Sequence, residues 1–101
     1  MTPEPEEMRR GIAVRVRYLG PTNYRGSRWV ATADHPIGRV VVDYADAYRS
    51  GLDNARRAAD ALVSRWAADW TERHPGVPYP YRIVAGGHLP DAYAFIVSID
   101  A

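Results

Sequence analysis

Arginine is the residue type in this chain whose number and placement could do chemistry. All thirteen cations are arginine, with no lysine, against twelve acids. Arg9, Arg10, Arg15, Arg17, Arg25, Arg28 and Arg39 fall in one stretch whose single acid is Asp34. A guanidinium is a permanently charged, planar fork that matches phosphate or carboxylate oxygens two at a time. The same exclusive use of arginine also follows from a GC-rich genome, so the spacing must carry the argument. A net charge of +1 points to no partner. A local patch acts at contact distance, inside the Debye length of ~8 Å at physiological salt.

Other chemistries find little support in the residues. Without lysine there is no P-loop lysine and no Schiff-base nucleophile. Without cysteine there is no disulfide, thiolate catalyst or Cys-based zinc site. His35, His74 and His88 fall in predicted turns or loops with no i,i+4 partner, and read as surface residues rather than metal ligands. Ser27, Ser50, Ser64 and Ser98 lack a G-x-S-x-G elbow, and Asp34, Asp43 and Asp46 sit where turns and strand ends favour aspartate anyway. Gly20 and Gly26 fit no phosphate-binding pattern, and a strand rather than a helix follows them. The expectation is a non-enzymatic protein with no cofactor and no metal.

The arginines must be positioned by strands. From Gly11 a period of two begins, with Ile12, Val14, Val16 and Tyr18 on one face and Ala13, Arg15 and Arg17 on the other. Residues 19–27, rich in turn formers, read as a hairpin loop with Tyr24 and Arg25 at its tip. A second strand opens at Arg28, with Trp29, Ala31 and Ala33 opposite Arg28, Val30 and Thr32. A turn at 34–38 leads to a third over Arg39–Tyr44, with Val40, Val42 and Tyr44 opposite Arg39, Val41 and Asp43. Side by side, these strands would show Arg15, Arg17, Arg28 and Arg39 on the face away from the core.

Ser50-Gly51-Leu52-Asp53 has the form of a capping box, and a helix of about 22 residues follows it. Leu52, Ala55, Ala59, Leu62, Val63, Trp66 and Trp70 recur as its apolar stripe, and His74-Pro75-Gly76 ends it. All three tryptophans read as core. Tyr81–Ala85 and Tyr93–Ile99 read as two more strands joined by a loop over Gly86–Ala92. The expected fold is α+β: a single antiparallel sheet in the order βββ-α-ββ, with one long helix packed on one face. Residues 1–9, acidic and proline-bearing, read as a flexible tail before one domain over 10–101. No apolar run approaches the roughly 20 residues a spanning helix needs, and no signal-peptide core is present, so a cytoplasmic protein without membrane contact is expected.

Three stretches carry a resemblance. They are Tyr18-Leu19-Gly20-Pro21-Thr22-Asn23 with Arg25-Gly26-Ser27-Arg28, the helix opening near Asn54 with Arg57-Ala58-Ala59, and Ala85-Gly86-Gly87 with Leu89-Pro90 before an aromatic strand. On these the chain resembles, over most of residues 14–97, a group of short uncharacterised proteins encoded on phages, plasmids and other mobile elements. It departs from them at His88 and Asp91-Ala92, where a more glycine-rich loop is expected. The resemblance implies a setting rather than a site: small proteins of this kind often bind a host machine, and include anti-CRISPR and anti-restriction inhibitors. It transfers no catalytic residue.

Together these readings give a binding protein whose contact residues are Arg15, Arg17, Tyr24, Arg25, Arg28 and Arg39. The partner would be a host protein or ribonucleoprotein, with direct DNA or RNA binding as the alternative. The same arginines read equally well as a solvated face that charge keeps soluble and protects from edge pairing. Oligomeric state is open at this level.

Overall fold

The computed structural model describes residues 11–21, 23, 26–43 and 50–99. Five antiparallel strands and one helix follow in the order β1 (Gly11–Leu19), β2 (Arg28–Ala33), β3 (Arg39–Val42), α1 (Gly51–Arg73), β4 (Arg82–Leu89) and β5 (Ala92–Ser98). They form one five-stranded sheet with α1 packed on it, an α+β fold as the periodicities predict. In space the strands run β3-β2-β1-β5-β4. The expected tail, the loop-tip residues Tyr24 and Arg25, and Tyr44 lie outside the described residues.

The core forms where strand alternation meets the helix stripe. Val14 and Val16 of β1, Trp29 and Ala31 of β2, and Phe95 and Val97 of β5 are buried against Ala55, Ala58, Ala59, Leu62 and Trp66. Three alanines in two turns make a thin helix face, which lets the backbone sit close over β2, β1 and β3. The buried stripe is shorter at both ends than the sequence predicts, and it includes Asn54 and Ala58, which the predicted stripe left out. Leu52, in the first turn, is 38% exposed, and Trp70 is half-buried at the rim, its ring tilted against that of His74 with centroids 4.1 Å apart.

Local chemistry sets the helix ends. Ser50 is in extended conformation and its Oγ accepts a hydrogen bond from the Asp53 N–H at 3.1 Å, satisfying one of the first-turn donors. At the far end the His74 N–H donates to the Trp70 carbonyl at 2.8 Å. Gly76 then reverses the chain at φ +80°, a conformation that side chains resist.

Two readings of the connections change. Gly86–Ala92 is not a loop: β4 runs through both glycines to Leu89, and Pro90-Asp91 alone turn the chain into β5. Glycine disfavours a strand, but pairing of Gly86 with Phe95 and Gly87 with Ala94 overrides that preference. The third strand stops at Val42, short of the predicted Tyr44, so Asp43 follows the sheet edge rather than belonging to it.

Candidate binding face

The strand order decides whether the predicted arginines meet. Arg15 pairs with Thr32 across β1 and β2, and Thr32 pairs with Arg39 across β2 and β3, so the three form one cross-strand row. Arg17 lies two residues along β1, opposite Val30, and Leu19 lies opposite Arg28. Residues opposite one another in an antiparallel pair share a face. Arg15, Arg17, Arg28 and Arg39 therefore occupy the side of the sheet away from α1, on three adjacent strands.

Four of the six predicted contact residues are placed in this way, and they are not equivalent. Arg15, Arg17 and Arg39, with Thr32, Val30 and Leu19, line a shallow groove of about 330 Å³. Arg17 and Arg39 are exposed. Arg15 is held: its Nη2 donates to Asp91 Oδ2 at 2.7 Å, an ion pair that is itself exposed. Such a pair is worth about 0–1 kcal/mol, so an incoming anion can displace or share it. Arg28 does not line the groove. It is half-buried, with an enclosed Nε that has no hydrogen-bond partner among the described residues.

The face is therefore amphipathic as well as basic. Val30 is 7% exposed and forms an apolar floor, and Thr32 Oγ1 leans back on the Arg15 carbonyl at 3.4 Å. Guanidinium groups over an apolar floor can hold an oxyanion while their stems cover hydrocarbon.

The histidines depart from their expected surface role in one case. His35 stacks on Trp66 with ring centroids 4.3 Å apart and planes 24° from parallel, and its Nδ1 accepts the Ile37 N–H at 3.0 Å. Trp66 Nε1 in turn donates to the Ile37 carbonyl at 2.6 Å. His35 is thus a structural residue closing the β2–β3 turn over the helix, whereas His74 and His88 are exposed. Among the described residues no three histidine, aspartate or glutamate side chains cluster as metal ligands would. Two further depressions, of about 250 and 300 Å³, lie between α1 and β4 and are lined in part by Asp53, Arg56 and Asp60. Arg56 and Asp60 pair with each other along the helix at 4.0 Å.

Asp91 is the site residue that sequence reasoning missed. It stands 76 positions from Arg15, and only a hairpin tight enough to turn at Pro90-Asp91, beside β1, brings the two together. The available signal was Leu89-Pro90-Asp91 between two apolar runs, which fits a short turn as well as a long loop.

No helix is long and apolar enough to cross a membrane among the described residues. No family model, curated protein or solved structure matches the chain.

Proposed function

We propose that this protein works by binding, and that the groove of Arg15, Arg17 and Arg39 takes the anionic surface of a larger partner. The observation that carries the reading is the cross-strand row Arg15-Thr32-Arg39 with Arg17 beside it. Folding gains nothing from like charges gathered on neighbouring strands. Arg17 and Arg39 make no ion pair with another described residue, so a partner's oxyanions would supply the missing counter-charge.

The partner class follows from the groove's chemistry and from the resemblance. Guanidinium forks suit carboxylate clusters on an acidic protein and phosphates on a ribonucleoprotein alike. The resemblance to mobile-element proteins points to a host machine as the target and to inhibition by occlusion, as an anti-CRISPR-like inhibitor would act. Direct binding of DNA or RNA is the second reading, favoured by a groove lined by three arginines and no acid.

The test is capture of partners from bacterial host lysate by the tagged full chain, with mass spectrometry. The Arg17→Glu, Arg39→Glu double variant should lose the captured partner while keeping its circular dichroism spectrum. Unchanged capture would overturn the assignment of the face. A mobility shift on single- and double-stranded nucleic acid separates the two readings. Direct binding should weaken steeply with salt, with a log–log slope on the order of −2 to −3 for three phosphate contacts.

A further inference from the structure

The two edges of the sheet are built differently. β3 is a short edge, four residues opening on Arg39, which is how proteins discourage unwanted strand pairing. β4 is twice as long, and from Ile83 to Leu89 it carries no aspartate, glutamate, lysine, arginine or proline. Its one irregularity is a register shift between Ile83 and Ala85, which leaves Ala85–Leu89 in regular pairing with β5. Among the described residues no strand pairs with the outer side of that five-residue run.

Gly87 sharpens the point. A Cβ there would meet nothing within 4 Å, and its φ is not in the left-handed region, so neither packing nor backbone conformation within this chain calls for glycine. Gly86 differs, because a Cβ there would stand 2.8 Å from the Phe95 ring. Gly87 therefore adds no side chain that would hinder a strand laid along this edge.

We propose that the occupant is a second copy of this chain, its β4 running antiparallel to the first about a two-fold axis at Gly87. The edge is self-complementary in that arrangement. Leu89 of one copy falls opposite Ala85 of the other, whose neighbour on the same face is Ile96. Leu89 and Ile96 are 42% and 40% exposed in the single chain, and each pair is made twice. Arg82, three residues before the regular run, comes beside the Pro90-Asp91 turn of the second copy. An exposed cation thus approaches Asp91, which would have to share its pair with Arg15 of its own chain but keeps 67% of its side chain exposed, again twice. The neutral run between places no like charges against each other. A two-fold of this kind keeps both helices on one side of a ten-stranded sheet. Both arginine grooves then lie on the other side, with their β2 strands roughly 34 Å apart along the sheet at the usual strand spacing.

Light scattering on the full-length chain across a concentration series tests this directly. The molar mass should rise to twice that of a single chain. Leu89→Arg, at an exposed position, should restore the single-chain mass with an unchanged circular dichroism spectrum. Arg82→Asp and Asp91→Arg should each weaken association at least tenfold, and the two together should recover it. A wild-type chain that stays at single-chain mass over the whole series overturns the proposal. So does a Leu89→Arg variant that still associates, or a charge swap that fails to recover association. None of these readouts depends on the anionic partner, so the dimer and the binding face can fail separately.

Discussion

Trp66 does two jobs with one side chain: its indole ring is 1% exposed in the core, and its Nε1 donates to the Ile37 carbonyl. Trp66→Phe keeps an aromatic ring but removes both the pyrrole half of a buried indole and the donor to that carbonyl, so unfolding free energy in urea should fall by about 2–5 kcal/mol. Leu62, fully buried in the same cluster, offers the plain cavity case: Leu62→Ala should cost about 2–5 kcal/mol by the same measurement. The neighbouring glycines of β4 make a matched pair. Gly86→Ala drives a methyl against Phe95, an overpacking cost of about 1–3 kcal/mol, whereas Gly87→Ala meets open space and should leave the single chain's thermal stability unchanged or raised. Equal losses at both positions would show that Gly87 has a packing role within the chain.

At the scale of the element, α1 depends on its first turn more than its exposed ion pairs. Asp69–Arg73 at 3.1 Å and Arg56–Asp60 at 4.0 Å are solvated i,i+4 pairs worth a few tenths of a kcal/mol each. Ser50→Ala removes the oxygen that accepts the Asp53 N–H and should cost about 1 kcal/mol in chemical denaturation, while Ser50→Asp should cost little. The cap, the stop at Gly76 and the alternation in β1 and β2 were legible in the sequence because each is a local rule read over a few residues. The extent of β4 was not. Two adjacent glycines and a nearby proline read as a loop, and only the pairing of Gly86 and Gly87 with β5 makes them strand.

For the whole molecule, the residues that hold the fold are separate from those proposed to bind. Arg39 sits exposed on an edge strand beside Thr32, so Arg39→Glu should change unfolding free energy by no more than about 0.5 kcal/mol. The same substitution, combined with Arg17→Glu, should abolish partner capture. A loss of stability comparable to a core substitution would mean that the face is structural.

The sequence by itself determined the order of elements along the chain and, in β1, β2 and the middle of α1, the faces they bury. A period of two puts Arg15 and Arg17 opposite Val14 and Val16 wherever the strand lies, and a helical period gathers Ala55, Ala59, Leu62 and Trp66 whatever they cover. It could not order the strands, because every antiparallel arrangement of five amphipathic strands under one helix satisfies the same alternation. Tertiary structure decided that β1, β2 and β3 are consecutive, which turns four separated arginines into one face and aligns three of them on one groove. It also brought Asp91 to Arg15 and left at the β4 edge a run, Ile83 to Leu89, without an acid, a lysine or an arginine. These are consequences of pairing between residues far apart in the chain, and no local pattern encodes which distant strand a given strand will join.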